Sequence, residues 1–515
     1  MPNFALWGIM LNNRQDTSSF QAPAPPPSQG IAAARRGQYR FSDHFGISKP
    51  QSQLDFVDIP LDTDVSLYVD PYALSVSPND WLRECGNVVV NFFEDFLAAI
   101  RDGDEGKVMS LISNLHEPND AHLGLSLGRP AGRGWGGKQG HLLLLTLKNS
   151  TAVRSGRLRD LSDIELLMPG IGSDKISDLT LNVIRGELVA YTEEQCRLYN
   201  VPTERINSGL YWDYENKRWA SRYADLPVYQ DRRIVLVPKA AVRARLVPSY
   251  EEFYSRFVLD FLSAEHLKAN DSLVTLLKNG TGRVYKSDLK NRYPLSKEFL
   301  FKFTQEHPEV LQAYKETLPE KAKPIEALDI ESRQQVPRPA TSDPDTGLER
   351  LPAGRECAGR YHTAILGLLT EIFYPSLTHP VKEQEVDDGR KRIDILFSNS
   401  AEEGFFSRLV HSHKIHCPYV SVECKNYTED PQNPELDQLM GRFSRKRGRF
   451  GILVCRNIHD PQVLLKRLQD VVNNTEGVII VLDDADITAL HKLKRLGKRS
   501  ELNEHLEAKL RPILM

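Results

Sequence analysis

The sequence predicts an α/β protein. A mixed α/β domain and a mainly helical segment precede a C-terminal core of order αβββαβ. Three observations carry this. The chain is 515 residues long, enough for about two to four domains. From about residue 355 onward, short apolar runs of strand length alternate with stretches of helical period. Segments rich in Pro, Gly and Ser separate the regions.

Residues 1–40 contain "QAPAPPPSQGIAAARRGQ", which cannot bury enough surface to fold alone, so a disordered tail is expected. Residues 45–245 read as the mixed α/β domain, of sensor or targeting role. In it "NVVVNFFEDFLAAIRDG" is a helix stopped at Gly103, and "GHLLLLTL" is a covered strand. "DKISDLTLNVIRGELVAYTEEQCRLY" is one long helical stretch, and "RRIVLVP" is a strand stopped by Pro238. Residues 246–328 carry mostly helical signals. Residues 329–352, with "VPRPATSDPDTGLERLPAG", read as a linker. Residues 353–515 form the last domain. There "RYHTAILGLLTEIFY" is an amphipathic helix, "HPVKEQEV", "KRIDILF" and "PYVSVECKNY" are strands, and "ELDQLMGRF" is a helix. The strand "GRFGILVCR", the helix "PQVLLKRLQDVVNN", the strand "GVIIVLDD" and the helix "DITALHKLKRLG" follow.

Side chains alternate faces along a strand. In "VSVECKNY", Val420, Val422 and Cys424 point one way, while Glu423 and Lys425 point the other. In "RIDILF", Asp394 faces away from Ile393, Ile395 and Phe397. If the strands are neighbours, Asp394, Glu423 and Lys425 converge. Two close carboxylates repel unless something positive lies between them. A hard cation such as Mg²⁺ (or Mn²⁺) suits that place, because it takes carboxylate oxygens and keeps waters. Lys425 would then work on a metal-bound water and on charge developing at a phosphate. A lone Glu–x–Lys pair on a strand would read as an exposed ion pair of little worth. The Asp strand before it and the apolar alternation around it argue for a site.

Asp394 followed by Glu423-x-Lys425 resembles the PD-(D/E)xK nuclease superfamily, of restriction-endonuclease-like fold. The stretch "ELDQLMGRFSRKRGRFGILVCR" is similar to the Mrr-type branch, in which a Gln on the next helix faces the site. The resemblance covers roughly 355–490. One departure is Arg392-Ile393-Asp394 in place of the family's Pro-Asp. The resemblance implies catalytic roles for Asp394, Glu423, Lys425 and Gln438, and for Glu371 as an acid on the first core helix, where a solvated glutamate at the helix flank is the alternative. It also implies metal held by Asp394, Glu423 and the backbone carbonyl of Cys424. The expected activity is metal-dependent hydrolysis of phosphodiester bonds in DNA, plausible in restriction or anti-phage defence by analogy. The alternatives are an inactive nuclease-fold module that binds nucleic acid or a partner, and an RNA-directed nuclease.

Arg442, Arg445, Lys446, Arg447 and Arg449 lie in "RFSRKRGRF" beside the expected site, and read as phosphate contacts or as a solvated turn. Lys492, Lys494, Arg495, Lys498 and Arg499 form a second basic run that reads equally as an exposed helix end. His411, His413, His416 and Cys417 gather zinc-type ligands without the spacing of a finger or ribbon, so a surface loop is the plainer reading. "GRGWGGKQG" nearly spells a phosphate-binding loop, but Gln139 stands where Ser or Thr is needed. In "PGIGSDKISDLTLN", Asp174 and Asp178 lie four apart behind Ser173. Helix capping explains most of that stretch, and a ligand or second metal site stays open.

The six cysteines show no paired spacing, which fits a reducing compartment. No apolar run approaches membrane-spanning length, and "FALWGIML" lacks the flanks of a signal peptide. A cytoplasmic protein is expected, with DNA as partner. RNA, a protein or activating ligand, and a second copy of the chain are open.

Overall fold

Helix α1 (Asp80–Arg101) starts where the Asn79 side chain accepts the Leu82 N–H at 2.9 Å. It buries Leu82, Val89, Phe92, Phe93 and Phe96 at helical spacing. It ends before Gly103, whose φ of 71° a side chain would resist. The computed structural model describes residues 39–124, 161–167, 172–278, 280–334, 346–386, 391–475 and 477–515. Residues 1–38 of the expected tail, the strand "GHLLLLTL" and the near phosphate-binding loop lie outside the described residues, while Arg40 bridges to Pro60. The stretch expected as one helix is two, α2 (Ser173–Val183) and α3 (Arg185–Tyr199). They meet at Ile184, whose ψ of 13° leaves the helical range.

"RRIVLVP" is not the strand its composition predicts. Only Arg232–Arg233 forms a ladder, with Val228–Tyr229, and Pro238 makes an isolated bridge to Phe56. Ile234–Val237 are nevertheless buried. Their backbone donors go to separate partners: Val235 to the Asp120 carbonyl at 2.8 Å, and Leu236 to Thr192 Oγ1 at 2.9 Å. A short apolar run records burial, not a ladder. Among the described residues, every ladder before residue 330 is two-stranded.

The helical segment is not a separate body. Phe253, Leu300, Tyr314 and Leu318 share one core with Phe56, Val57 and Val237. The expected linker also begins inside a helix, Ala327–Arg333, which buries Ile330. Gln334 behind it donates to the Asp58 carbonyl at 3.0 Å.

The C-terminal core is an α/β layer structure around a five-stranded sheet. It runs α4 (Ala358–Phe373), β1 (Leu377–Val386), β2 (Lys391–Asn399), α5 (Gly404–His411), β3 (Tyr419–Lys425) and α6 (Asn433–Met440). It continues β4 (Phe450–Cys455), α7 (Pro461–Thr475), β5 (Val478–Leu482), α8 (Asp484–Arg495) and α9 (Arg499–Leu514). The strand order is β1-β2-β3-β4-β5. The first two pairings are antiparallel and the last two parallel. Every residue of β4 and β5 is buried, as expected for parallel strands covered on both faces. Helix α4 packs on β1, β3 and α8, while α6 packs on β3 and β4.

The two cores meet through polar contacts. Asn79 Nδ2 donates to Thr378 Oγ1 at 2.8 Å, and the Tyr374 hydroxyl donates to the Ile325 carbonyl at 2.8 Å. Lys239 is fully buried there, with Nζ 4.6 Å from the centre of the Tyr374 ring and 3.1 Å from the Ser52 carbonyl. Burial pushes its ammonium down to about 8. No described helix is long and apolar enough to cross a membrane.

Candidate active site

On β2, Ile393, Ile395 and Phe397 are buried and Asp394 between them is half-buried, which is the predicted alternation. On β3, Val420, Val422 and Cys424 belong to the core. The β2–β3 ladder pairs Ile395 with Val422 and stops there. Continuing that register sets Asp394 opposite Glu423, on the same face of the sheet. The strands part at this point. The Cys424 N–H donates to Asp394 Oδ2 at 2.9 Å, so a side-chain acceptor stands in for a ladder carbonyl.

Lys425 lies two residues beyond Glu423 on the same face. Its Nζ donates to Glu423 Oε1 at 2.8 Å and to Gln438 Oε1 at 3.0 Å. Gln438, on α6, donates in turn to Glu423 Oε1. The sequence therefore names four residues that the fold brings together: Asp394, Glu423, Lys425 and Gln438. The Glu423 side chain is only 1% exposed, and its Oε2 is buried without a hydrogen-bond partner. Burial, then the Asp394 charge, pushes the Glu423 carboxyl above its usual range, and Lys425 opposes this. The site is thus short of positive charge, with one buried oxygen unclaimed.

His362 is a neighbour that sequence reasoning missed. Its Nδ1 lies 3.9 Å from Asp394 Oδ2, and its imidazole hydrogen-bonds the Cys424 backbone. Burial pushes its pKa down, against the pull of Asp394. A signal was present. His362 stands at i relative to Ile365 (i+3) and Leu369 (i+7), on the sheet-facing stripe of α4. The residue expected from that helix was an acid, and the fold delivers a histidine.

Glu371 lies elsewhere. Nine residues beyond His362, it is half a turn out of phase and about 13 Å further along the axis. It is buried, 4% exposed, with Oε2 3.2 Å from His491 Nε2 and 3.2 Å from Gln53 Nε2, and Oε1 3.3 Å from Arg495 Nη1. Burial pushes its carboxyl up, but His491 and Arg495 outweigh that and hold it at about 2. It is neither a member of the Asp394 cluster nor a solvated flank. It is a buried anion where the two cores meet.

The basic loop between α6 and β4 turns on a bridge between Ser444 and Gly448. Arg445 and Lys446 at its tip are exposed, and Arg447 Nε donates to the Arg442 carbonyl at 2.8 Å. Arg442 faces inward, close enough to lower the Glu423 pKa, and its Nε is buried without a hydrogen-bond partner. Gly448 has φ of 99°, and a Cβ there would sit 2.8 Å from the His416 carbonyl oxygen. Gly448→Ala is therefore expected to cost about 1–3 kcal/mol, read as a lower denaturation midpoint.

The second basic run is mostly an exposed helix end: Lys492, Arg495, Lys498 and Arg499 are exposed and Lys494 is half-buried. Lys494 donates to the Tyr374 carbonyl, Arg495 bonds Glu371, and Arg499 bonds Glu326. The zinc-type residues do not gather: His413 pairs with Glu507, His416 bonds the Arg445 carbonyl, and Cys417 is buried beside Tyr419. Among the described residues, no three His, Cys, Asp or Glu side chains converge to hold a metal ion. The Asp394 site offers two carboxylates.

Residues 46–248 match the model of a domain of unknown function, DUF8370. No curated protein and no solved structure matches the chain.

Proposed function

We propose that residues 353–515 form a metal-dependent nuclease of PD-(D/E)xK type that hydrolyses phosphodiester bonds in DNA. The observation that carries this reading is the juxtaposition at the opening of the β2–β3 ladder. Asp394 and Glu423 share one face, and Lys425 Nζ lies 2.8 Å from Glu423. The order α4-β1-β2-β3-α6-β4, with α5 inserted between β2 and β3 and a mixed five-stranded sheet, supports a restriction-endonuclease-like core.

The site fits a hard divalent cation. Glu423 Oε2 is buried and unclaimed, and the Asp394 charge raises the proton affinity of Glu423. Asp394 and Glu423 would hold Mg²⁺ or Mn²⁺, with the Cys424 backbone carbonyl as a third donor and waters as the rest. When bound, such an ion polarises a phosphoryl oxygen and acidifies bound water. The chain's own residues do the remaining work. The Cys424 N–H fixes the Asp394 carboxylate. Gln438 holds Glu423 and Lys425 in register. The Lys425 ammonium orients the attacking water and stabilises negative charge that builds on the phosphate. Arg445 and Lys446 grip flanking phosphates. The region matching DUF8370 selects a target or trigger for the cut, as in restriction or anti-phage defence.

The test is incubation of the purified chain with supercoiled plasmid, and in parallel with structured RNA, in Mg²⁺ or Mn²⁺ and in EDTA. Nicking or linearisation that requires the metal supports the proposal. RNA cleavage alone moves the substrate to RNA. Binding without cleavage of either in both metals rejects the nuclease reading in favour of a binding module.

A further inference from the structure

A small cavity of about 120 Å³ lies in the N-terminal core, far along the chain from Asp394. Its walls carry Asp64, Glu117, Asn119, Asp174 and Asp178. Three separate segments supply them. The Val65 N–H donates to the His122 carbonyl and the Gly124 N–H to the Val65 carbonyl, each at 2.9 Å, which clips the Asp64 segment to residues 117–124. Helix α2 adds Asp174 and Asp178, four apart and therefore on one helical face. Gly124 keeps the wall thin, since a Cβ there would lie 3.5 Å from Asp174 Oδ1.

The oxygens in this cavity lack donors. Asp64 Oδ1, Glu117 Oε2 and the neutral amide oxygen of Asn119 are buried with no hydrogen-bond partner. The Asp64 side chain is only 7% exposed. A buried acceptor left unsatisfied forfeits the hydrogen bonds it made in water, so three around one space mark a place built for donors. The nearest base is His122, whose Nδ1 is 4.0 Å from Asp64 Oδ1, beyond hydrogen-bond reach. Burial pushes that imidazole's pKa down. The neighbouring guanidinium groups of Arg185 and Arg233 both serve Asp120. Burial first, and then mutual repulsion, pushes Asp64 up to about 7 and Asp178 up to about 8.

The lining suits an organic cation, because a neutral amide oxygen and carboxylates from three separate segments face one space. The acceptors are spread over walls that enclose room for a polyatomic group. A guanidinium with five donors, or an ammonium with three, can reach separate oxygens at once.

We propose that this cavity binds a guanidinium or primary ammonium group, carried by a small organic amine or by an Arg or Lys side chain of a partner polypeptide. The test is calorimetric titration of the full chain with agmatine and with an end-blocked Gly-Arg-Gly peptide. Asp64→Asn and Asp178→Asn are compared with the wild type. Asp178→Asn is a neutral isostere of the protonated acid, so it keeps the fold while removing the charge. Saturable binding of either probe is expected, weakened at least about tenfold in both variants. Tighter binding of the peptide than of agmatine assigns the cation to a polypeptide, and the reverse order assigns it to a free amine. The proposal is overturned if neither probe binds at millimolar concentration, or if binding is unchanged in the two folded variants. It is also overturned if Ca²⁺ or Mg²⁺ binds this cluster and neither probe displaces it.

Discussion

Asp394→Asn and Lys425→Ala are each expected to lower plasmid cleavage by at least about a hundredfold, with the fold intact. In Asp394→Asn the amide oxygen would still accept the Cys424 N–H, now 2.9 Å from Asp394 Oδ2, so the strand opening survives. What disappears is one of the two charges proposed to hold the metal. The Mg²⁺ concentration for half-maximal activity should therefore rise along with the loss of rate. Lys425→Ala acts differently. Lys425 is the group that pulls the Glu423 pKa down against burial and Asp394. Without it, Glu423 holds its proton to higher pH and loses its value as a ligand. Raising the pH should recover metal binding in Lys425→Ala but not cleavage, because the ammonium that stabilises the phosphate charge is gone. In the wild type, metal affinity should climb with pH as Glu423 ionises, because burial and Asp394 raise the proton affinity of the metal-free carboxylate. Thermal unfolding and circular dichroism of each variant check that folding is unchanged. Wild-type turnover in both variants would sink the proposed site.

Glu371→Ala is expected to destabilise the protein by about 3–5 kcal/mol while leaving the chemistry in place. The carboxylate lies among the buried His491, the part-buried Gln53 and the more exposed Arg495, and its removal leaves His491 without its acid. The pH dependence has a definite sign. Its folded pKa, about 2, lies below the ordinary glutamate value of 4.5. The stabilisation is therefore fully present above pH about 4.5 and is lost as pH falls from there toward 2. The depression corresponds to about 3 kcal/mol, in line with the mutational expectation. Denaturant unfolding of wild type and Glu371→Ala at pH 7 and pH 3 measures both. The stability gap should be wide at pH 7 and narrow at pH 3. The resemblance to nucleases assigns Glu371 a catalytic part, and its position makes the opposite forecast. If Glu371→Gln keeps wild-type stability but loses cleavage, the resemblance is right and the structural role is wrong.

Much of the C-terminal core was legible in the residue pattern before any fold was known. The alternation in "RIDILF" and "YVSVECK" sets which side chains face the core, because successive residues of a strand point to opposite sides. Asp394, Glu423 and Lys425 could therefore be assigned to one face. The apolar runs of β4 and β5 likewise read as strands, and the fold buries every residue of both. Periodicity says which face is buried, but not what covers it. That limit accounts for the rest. Glu371 reads as a surface or site residue until the N-terminal core brings Gln53 against it, and Lys494 as an exposed cation until it meets the Tyr374 carbonyl, whereas Arg495 and Arg499 do stay exposed. His362 became a neighbour of Asp394 only when α4 lay across the sheet. "RRIVLVP" was apolar enough for a strand, yet its backbone donors found Asp120 and Thr192 instead. The acidic cavity draws on three segments spread over more than a hundred residues, and no local pattern encodes that meeting. These features came from the folded chain, because long-range packing chooses partners for faces that the local pattern only marks as buried.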